Sequence, residues 1–182
     1  MSDTRRTSEI FDNLRALFGR REQKVDPLDV NKVIVGALDS LRTDLADHEI
    51  TTRVELAPEL PLVAGHQGQL QEVIVNLVRN AIEAMNTTQN VLRALQVRTA
   101  HQGDKIIVSI EDTGPGIDSE KLDQIFEPFV TTKGHGMGLG LAICRMIVER
   151  HKGGLSASPA HPHGVVFKIA LPRMETAFEH RC

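Results

Sequence analysis

Apolar residues recur at helical spacing in several stretches of the chain. The longest stretch, residues 67–85, places Leu70, Val73, Leu77 and Ala81 on one face, and polar residues occupy the other. The spacing predicts helices over residues 7–20, 30–47, 67–85 and 139–151, and a short helix over residues 119–125. Asp29, directly before the second helix, is a suitable N-cap.

Shorter apolar or alternating runs between these helices predict strands. They cover residues 50–56, 92–99, 105–110, 155–158 and 165–171. The run over 105–110 is nearly continuous in apolar residues, so we expect it to be a central strand. Pro58, Pro61 and Gly65 indicate a loop. The order of elements predicts an α+β fold, a two-layer α/β sandwich with helices on one face of a mostly antiparallel, mixed sheet.

The first predicted helix has an apolar face but little nearby sequence against which to pack. Ile10, Leu14, Leu17 and Phe18 form that face. A second copy of the chain in a homodimer, upstream sequence of a longer protein, or the chain's own domain could cover it. We expect the chain to divide into residues 1–26, 27–173 and 174–182.

Composition narrows the range of partners. The 182 residues include 21 basic and 24 acidic residues, a net charge of -3, without a basic stripe interleaved with aromatic residues. This composition argues against a nucleic-acid partner. Cys144 and Cys182 form no disulfide framework, and no apolar run reaches the roughly 18 residues that span a bilayer. We expect a cytoplasmic chain, although a longer parent protein could be membrane-anchored.

Two asparagines lie four residues apart on the longest predicted helix. Asn76 and Asn80 therefore project from the same face. An amide oxygen suits Mg²⁺, which takes a few protein oxygens and completes its shell with water and phosphate. Alternatively, both residues simply face solvent.

An acidic residue and two glycines follow the predicted central strand, in the sequence Asp112-Thr-Gly-Pro-Gly-Ile117. An Asp held at a strand end can accept a hydrogen bond from an exocyclic amine such as N6 of adenine, and it disfavours bases without that donor. Gly114 and Gly116 allow close approach of the loop to a ligand. Alternatively, the segment is an ordinary Asp-x-Gly turn.

A glycine-rich segment leads directly into the predicted helix over residues 139–151. Gly134, Gly136, Gly138 and Gly140 leave backbone N–H groups accessible, and the helix N-terminus adds partial positive charge, so the segment can surround phosphates. Lys133 could add a point charge. The spacing matches neither the P-loop nor the dinucleotide fingerprint. Alternatively, the glycines form a hinge.

These motifs together resemble the four boxes of two-component sensor histidine kinases. The N, G1, F and G2 boxes correspond to Asn76-Leu-Val-Arg-Asn80-Ala81, Asp112-x-Gly114-x-Gly116, Phe126-Glu-Pro-Phe129 and Gly136-Met-Gly-Leu-Gly-Leu141. The resemblance covers residues 27–172 and implies the catalytic, ATP-binding domain with the Bergerat fold. It implies that residues 1–26 are the end of a dimerisation-domain helix with a linker, that 27–173 is the catalytic domain and that 174–182 is a tail. The sequence segments around Phe126 and around Asn80 are most similar to those of the nitrogen-regulation and oxygen-sensing branch of this family.

The resemblance implies a role for each matched residue. Asn80 would coordinate Mg²⁺ beside Asn76, and Asp112 would bind adenine N6. Residues 130–137 would form a mobile lid over ATP, with Phe126 and Phe129 anchoring its start. Asn76, Asn80 and Lys133 would be the catalytic residues. The remaining nucleotide contacts would come from Arg79, Gly114, Gly116, Ile117, Phe129, Thr132, Gly136, Met137, Gly138, Leu139, Gly140 and Leu141.

The resemblance also implies the reaction. Related ATPases of the superfamily carry a Glu where Asn76 stands, and an amide cannot act as that general base. We therefore expect transfer of the γ-phosphoryl group of ATP to a histidine on a separate, upstream dimerisation domain, and then to a response-regulator receiver domain. None of the eight histidines lies in the acceptor motif His-Glu-x-x-x-Pro, so we expect no activity from this chain alone. The alternatives are an anti-sigma-type serine kinase and a nucleotide-sensing interaction module.

Overall fold

The structure is a computed structural model that describes residues 25–88, 92–130 and 138–175. Helices and strands alternate irregularly along the chain. In order, they are β1 (Asp26–Leu28), α1 (Val30–Ser40), α2 (Arg42–Asp47), β2 (Thr51–Glu55), β3 (Val63–Gly65), α3 (Gln67–Asn86), β4 (Ala94–Gln102), β5 (Lys105–Asp112), α4 (Gly140–Arg150), β6 (Gly154–Pro159) and β7 (Val165–Pro172).

The main sheet has five strands in the order β2-β4-β5-β7-β6. β2 runs parallel to β4, and the other three pairs are antiparallel. The apolar strand β5 is central, as the sequence predicts. Its pairing brings Asp112 opposite Leu95 of β4 and Ile110 opposite Phe167 of β7. Because both neighbours hydrogen-bond to β5, its C-terminal end is held rigidly.

The helices cover one face of this sheet, which confirms the predicted two-layer sandwich. Alternate residues of β5, including Ile106, Val108 and Ile110, are buried at 1% exposure or less. They join one core with the apolar faces of α1, α3 and α4. The opposite face carries polar residues such as Arg98 and Glu111, joined by an ion pair of 2.8 Å. Asp112 therefore lies on the helix-covered face, since it alternates with Glu111.

The prediction of a single helix over residues 30–47 is wrong in one respect, because the structure has two helices there. Asp29 caps α1 as predicted, its side chain accepting hydrogen bonds from the backbone N–H groups of Asn31 and Lys32. The break falls at Leu41, whose φ of -106° and ψ of 5° leave the helical region. Leu41 and Leu45 are 1% and 6% exposed. Burial of both leucines accompanies the change in chain direction, and a periodicity count does not detect it.

A second sheet of two short strands was not predicted. β1 pairs antiparallel with β3, with Leu28 opposite Val63. Each strand has only three residues, and Pro27 and Gly65 lie within them. These residues favoured a loop assignment. Leu28 and Val63 are 7% and 0% exposed, so burial of this pair stabilises strands that local propensity does not favour.

The predicted short helix over residues 119–125 is also wrong. It consists of two separate 3₁₀ turns, Ser119–Lys121 and Gln124–Phe126. Ile125 and Phe126 are buried in the core, whereas residues 119–121 are exposed. Anchoring at one end only leaves too little packing for a continuous helix.

Two predicted segments lie outside the described residues, the helix over 7–20 and most of the tail over 174–182. Near the end of the described chain, the Met174 N–H donates to the Leu62 carbonyl oxygen at 2.6 Å. None of the helices within the described residues is long and apolar enough to span a membrane.

Candidate functional site

The site begins with the buried carboxylate of Asp112 at the end of β5. Asp112 is 3% exposed, and its Oδ1 accepts a hydrogen bond from the Gly114 N–H at 2.8 Å. Burial raises the pKa of Asp112. The backbone N–H groups of Gly114 and Val165 lower this pKa in part, the charge of Glu111 raises it, and His163 lowers it. The result is a buried hydrogen-bond acceptor fixed by its own backbone.

The glycine loop, Thr113–Ile117, packs directly on α3. A side chain at Gly114 would place its Cβ 2.8 Å from Asp112 Oδ1 and 3.1 Å from Ala84 Cβ, so a larger residue would displace the Asp112 carboxylate. On the other side, Thr113 Oγ1 accepts from the Ala94 N–H at 2.9 Å and donates to the Leu92 carbonyl oxygen at 2.8 Å. Ile117 packs against the core. The loop is therefore held on both sides.

The polar face of α3 contacts the glycine loop near the C-terminal end of the helix and contacts α4 nearer its middle. Asn76, Asn80 and Ala84 recur every four residues, as the sequence predicts, and both asparagines are half-buried. Arg79 is exposed. The side chain of Asn76 hydrogen-bonds to the thiol of Cys144 in α4. Burial raises the pKa of Cys144 to about 12, although the Asn76 hydrogen bond lowers it, so the thiol remains protonated.

A buried histidine, His151, connects the C-terminal end of α4 to the N-terminal end of α3. His151 follows the last residue of α4 and is 6% exposed. Its Nε2 accepts from the His66 N–H at 3.0 Å, and its Nδ1–H donates to the Ile147 carbonyl oxygen at 2.7 Å. Burial lowers the pKa of His151. Together with the Asn76–Cys144 contact, this connection shows that α3 and α4 run antiparallel.

The N-terminus of α4 forms the end of the site opposite Asp112. α4 begins at Gly140, and Leu139 and Leu141 pack partly into the core. The Gly138 carbonyl oxygen accepts a hydrogen bond from the Phe129 N–H at 3.0 Å, which joins the described residues on either side of the predicted lid. Residues 131–137 lie outside the described residues, so the roles of Thr132, Lys133, Gly136 and Met137 stay predictions.

The two phenylalanines of Phe126-Glu-Pro-Phe129 behave differently. Phe126 is 7% exposed and meets Phe167 edge to face, with 6.3 Å between ring centroids, while the Arg145 guanidinium lies 5.8 Å from its ring centre. Phe129 is 76% exposed. At the start of the predicted lid, the Phe126 ring therefore packs into the core, whereas the Phe129 ring does not and its backbone N–H donates to the Gly138 carbonyl oxygen.

Sequence reasoning missed the loop between β6 and β7, which lies behind Asp112. His163 Nδ1 is 3.2 Å from the Gly114 carbonyl oxygen, and the Val165 N–H contacts the Asp112 carboxylate. His161-Pro-His-Gly164 lies between the strands predicted over 155–158 and 165–171 and matches none of the four boxes. No local pattern reveals a contact 49 residues away. The contact of Cys144 with Asn76 was missed for the same reason.

The described residues are better suited to bind a nucleotide that carries its own metal ion than to bind a metal ion through protein ligands alone. Within residues 25–88, 92–130 and 138–175, no three His, Cys, Asp or Glu side chains are grouped to hold a metal. The site instead offers a buried acceptor at one end, amide side chains along α3, and a glycine-led helix N-terminus at the other. An amide oxygen together with phosphate and water oxygens satisfies Mg²⁺ without a protein cage.

Comparison with known proteins agrees with this arrangement. Residues 65–175 match the family model described as histidine kinase-, DNA gyrase B- and HSP90-like ATPase. Over 171 residues the chain is 33% identical to the C4-dicarboxylate transport sensor protein DctS of Rhodobacter capsulatus, covering 94% of the chain and 26% of DctS. It is 34% identical to the sensor protein FixL of Bradyrhizobium diazoefficiens, covering 92% of the chain and 33% of FixL. The chain thus spans about a third or less of these relatives.

Solved structures show the same fold. The catalytic domain of histidine kinase ThkA, in a nucleotide-free form, superposes with a TM-score of 0.74 at 31% identity, covering 83% of this chain and 97% of that one. ThkA in complex with the response regulator protein TrrA also superposes, with a TM-score of 0.74 over 94% of this chain and 49% of that one. At 24% identity that second match supports the fold alone. The chain belongs to the histidine kinase-, DNA gyrase B- and HSP90-like ATPase family, as a catalytic domain of the histidine kinase type.

Proposed function

We propose that this site binds Mg-ATP with the adenine at Asp112 and the phosphates between α3 and the N-terminus of α4. The observation that carries the proposal is the Asp112 carboxylate, which is 3% exposed yet ionisable, and is held by backbone donors at the end of the central strand. A carboxylate kept there at a cost in desolvation is well suited to a ligand that supplies a donor, and adenine N6 is such a donor.

The proposed metal ligand is the amide oxygen of Asn80. Asn76 lies one helical turn earlier, near the phosphates, and its hydrogen bond to Cys144 restricts its side chain. Gly116, Ile117 and Leu141 would line the base, and backbone N–H groups around Gly138 and Gly140 would contact the phosphates. Lys133 and Arg79 would supply positive charge. In this arrangement the Asn80 amide oxygen would hold an Mg²⁺ ion bound to the nucleotide, and the ion would neutralise charge on the phosphate oxygens.

Within this function we propose phosphoryl transfer in preference to hydrolysis. The polar face of α3 presents Asn76 and Asn80, and an amide cannot accept the proton of an attacking water. Positioning and charge stabilisation are sufficient for transfer to a nucleophile supplied by another domain. We propose a histidine of an upstream dimerisation domain as that nucleophile.

The proposed downstream partner is the receiver domain of a response regulator. Membership of the family and the sensor-protein names of DctS and FixL support this choice, and ThkA is known in complex with the response regulator TrrA.

We also propose a division of the chain. Residues 1–26 belong to the dimerisation region, through which a homodimer forms, 27–173 is the catalytic domain and 174–182 is a tail. We propose in addition that the chain is cytoplasmic. Two cysteines without a disulfide framework are consistent with a reducing compartment.

The binding proposal is tested by calorimetric titration of Mg-ATP and Mg-GTP. Wild type should bind ATP and discriminate against GTP, and omission of Mg²⁺ should weaken ATP binding. Asn80→Ala should lose most of that dependence on Mg²⁺. Asn86→Ala is the matched control, because Asn86 is the exposed last residue of the same helix. Equal loss in both variants, or no ATP binding by wild type, would contradict the proposal.

Phosphoryl transfer is tested separately with radiolabelled ATP and a histidine-containing dimerisation domain supplied as a second chain. We expect label on that domain, labile in acid and stable in alkali, and none when its acceptor histidine is replaced by Gln. Acid-stable label on serine of an added protein would favour the anti-sigma-type serine kinase. Firm ATP binding without transfer to any acceptor domain would favour the interaction module.

A further inference from the structure

The loop between β6 and β7 forms a wall behind the proposed adenine pocket. This support loop, Ala160–Gly164, is closed by a hydrogen bond from the Ala160 N–H to the Gly164 carbonyl oxygen at 3.1 Å. Ala160 is 7% exposed, so one end of the loop is fixed in the interior. The loop lies against the backbone that carries Asp112.

Contact between the support loop and the strand end is too close for a side chain. Gly164 has a φ of +109°, and a Cβ there would overlap the carbonyl oxygen of Asp112 and lie 3.2 Å from Thr113 Cα. Directly after it, the Val165 N–H donates to the Asp112 carboxylate. The support loop therefore touches both the backbone and the side chain of the proposed adenine acceptor.

His163 extends this contact to the next residue of the site. Its Nδ1 lies 3.2 Å from the carbonyl oxygen of Gly114. A carbonyl oxygen can only accept, so Nδ1 carries the hydrogen and donates. Gly114 in turn donates its own N–H to Asp112 Oδ1 at 2.8 Å. The imidazole and the carboxylate are therefore both hydrogen-bonded to Gly114, one through its carbonyl oxygen and the other through its N–H, on either side of its Cα.

We propose that His163 is a positioning residue of the adenine pocket, which holds the Gly114 carbonyl and thereby fixes the direction of the Asp112 carboxylate towards the 6-amine of the base. This inference rests on the proposed function, since it assigns adenine to Asp112. Without the imidazole, the Gly114 carbonyl oxygen loses the side-chain donor that the structure describes for it. Asp112 then samples orientations in which its free lone pair misses the amine.

The experiment compares two nucleotides in four proteins. Calorimetry gives the Kd of Mg-ATP and of Mg-purine riboside triphosphate, which lacks the 6-amine, for wild type, His163→Ala, His163→Asn and His161→Ala. The Asn side chain can place an N–H donor near the position of Nδ1. His161 is an exposed residue of the same loop and is the matched control. Thermal melting of each apo protein checks that the variants fold.

In wild type, the ratio of the two Kd values measures the contribution of the 6-amine. In His163→Ala we expect ATP to bind about 3- to 10-fold more weakly, the range of one lost hydrogen bond, and the analogue to change by less than about twofold. The ratio should then shrink accordingly. His163→Asn should recover most of the ATP affinity, and His161→Ala should match wild type.

Equal weakening of both nucleotides in His163→Ala, or no effect on either, would overturn the inference. If His163→Ala does not fold, His163→Leu, which fills similar space without a donor, takes its place: selective weakening of ATP upholds the inference, and equal weakening of both nucleotides or no effect on either overturns it. Equal Kd values of wild type for ATP and for the analogue would show that Asp112 does not hydrogen-bond to the 6-amine. That result refutes the adenine assignment itself and is visible without any variant.

Discussion

Replacement of Asp112 by Asn changes what the pocket can accept and donate while it preserves side-chain size. Gly114 and Val165 both present N–H donors to this side chain, so the amide oxygen of Asn should remain with them. The amide NH₂ then points into the pocket, where the 6-amine of adenine is also a donor. Two donors cannot pair, and the charged acceptor is lost.

The expected loss follows from the worth of a hydrogen bond to a charged group, about 1.5–3 kcal/mol. This corresponds to a Kd for Mg-ATP that is about 10- to 150-fold higher. Inosine triphosphate carries an acceptor oxygen at position 6 in place of the amine. It should therefore bind the Asn variant more tightly than it binds wild type, and the preference between the two nucleotides should shrink or reverse.

Calorimetric titration of both nucleotides into wild type and Asp112→Asn provides the assay. The reasoning is refuted if the variant retains wild-type ATP affinity, or if ATP and inosine triphosphate weaken by the same factor. The apo protein supplies a check on folding with a definite sign. Because burial raises the folded-state pKa of Asp112 above its ordinary value of 3.8, the stability it contributes is present below that value and is lost as the pH rises through the folded pKa. Asp112→Asn should consequently unfold at higher urea than wild type at pH 7, and this advantage should shrink in acid.

Three further predictions concern pH and packing. ATP affinity of wild type should fall as the pH drops through the raised pKa of Asp112, and calorimetry across pH should show a weaker dependence in Asp112→Asn. Leu77→Ala, at a position that is 0% exposed in α3, should lower the free energy of unfolding in urea by about 2–5 kcal/mol, whereas Val54→Ala, at 43% exposure, should change it by less than about 0.5 kcal/mol. Because the pKa of His151 is lowered by burial, the stability it contributes is present above the ordinary pKa of 6.5 and is lost as the pH falls through the folded pKa. The urea midpoint of wild type should thus drop more between pH 7.5 and pH 5.5 than that of His151→Gln, and an equal drop in both would contradict this role.

Local patterns were sufficient for the elements that depend on one periodicity. The apolar stripe of α3 predicted its extent to within one residue at its end, Gln67–Asn86, and placed Asn76 and Asn80 on one face. The continuous apolar run of β5 predicted a central strand. Packing of distant residues decided the elements that were wrong. The break at Leu41 and the pairing of Leu28 with Val63 both depend on burial against segments remote in sequence.

The sequence alone was sufficient for the fold class and, through its resemblance to the histidine kinase boxes, for the family, because each box is a short run of neighbouring residues. Tertiary structure decided how these residues are held. It brought His163 to Gly114, Cys144 to Asn76 and His151 to the start of α3. It also buried Phe126 while leaving Phe129 exposed, although both belong to one four-residue motif. Hydrogen bonds and burial between residues far apart in the chain depend on how layers pack, and no pattern of neighbouring residues encodes that distance.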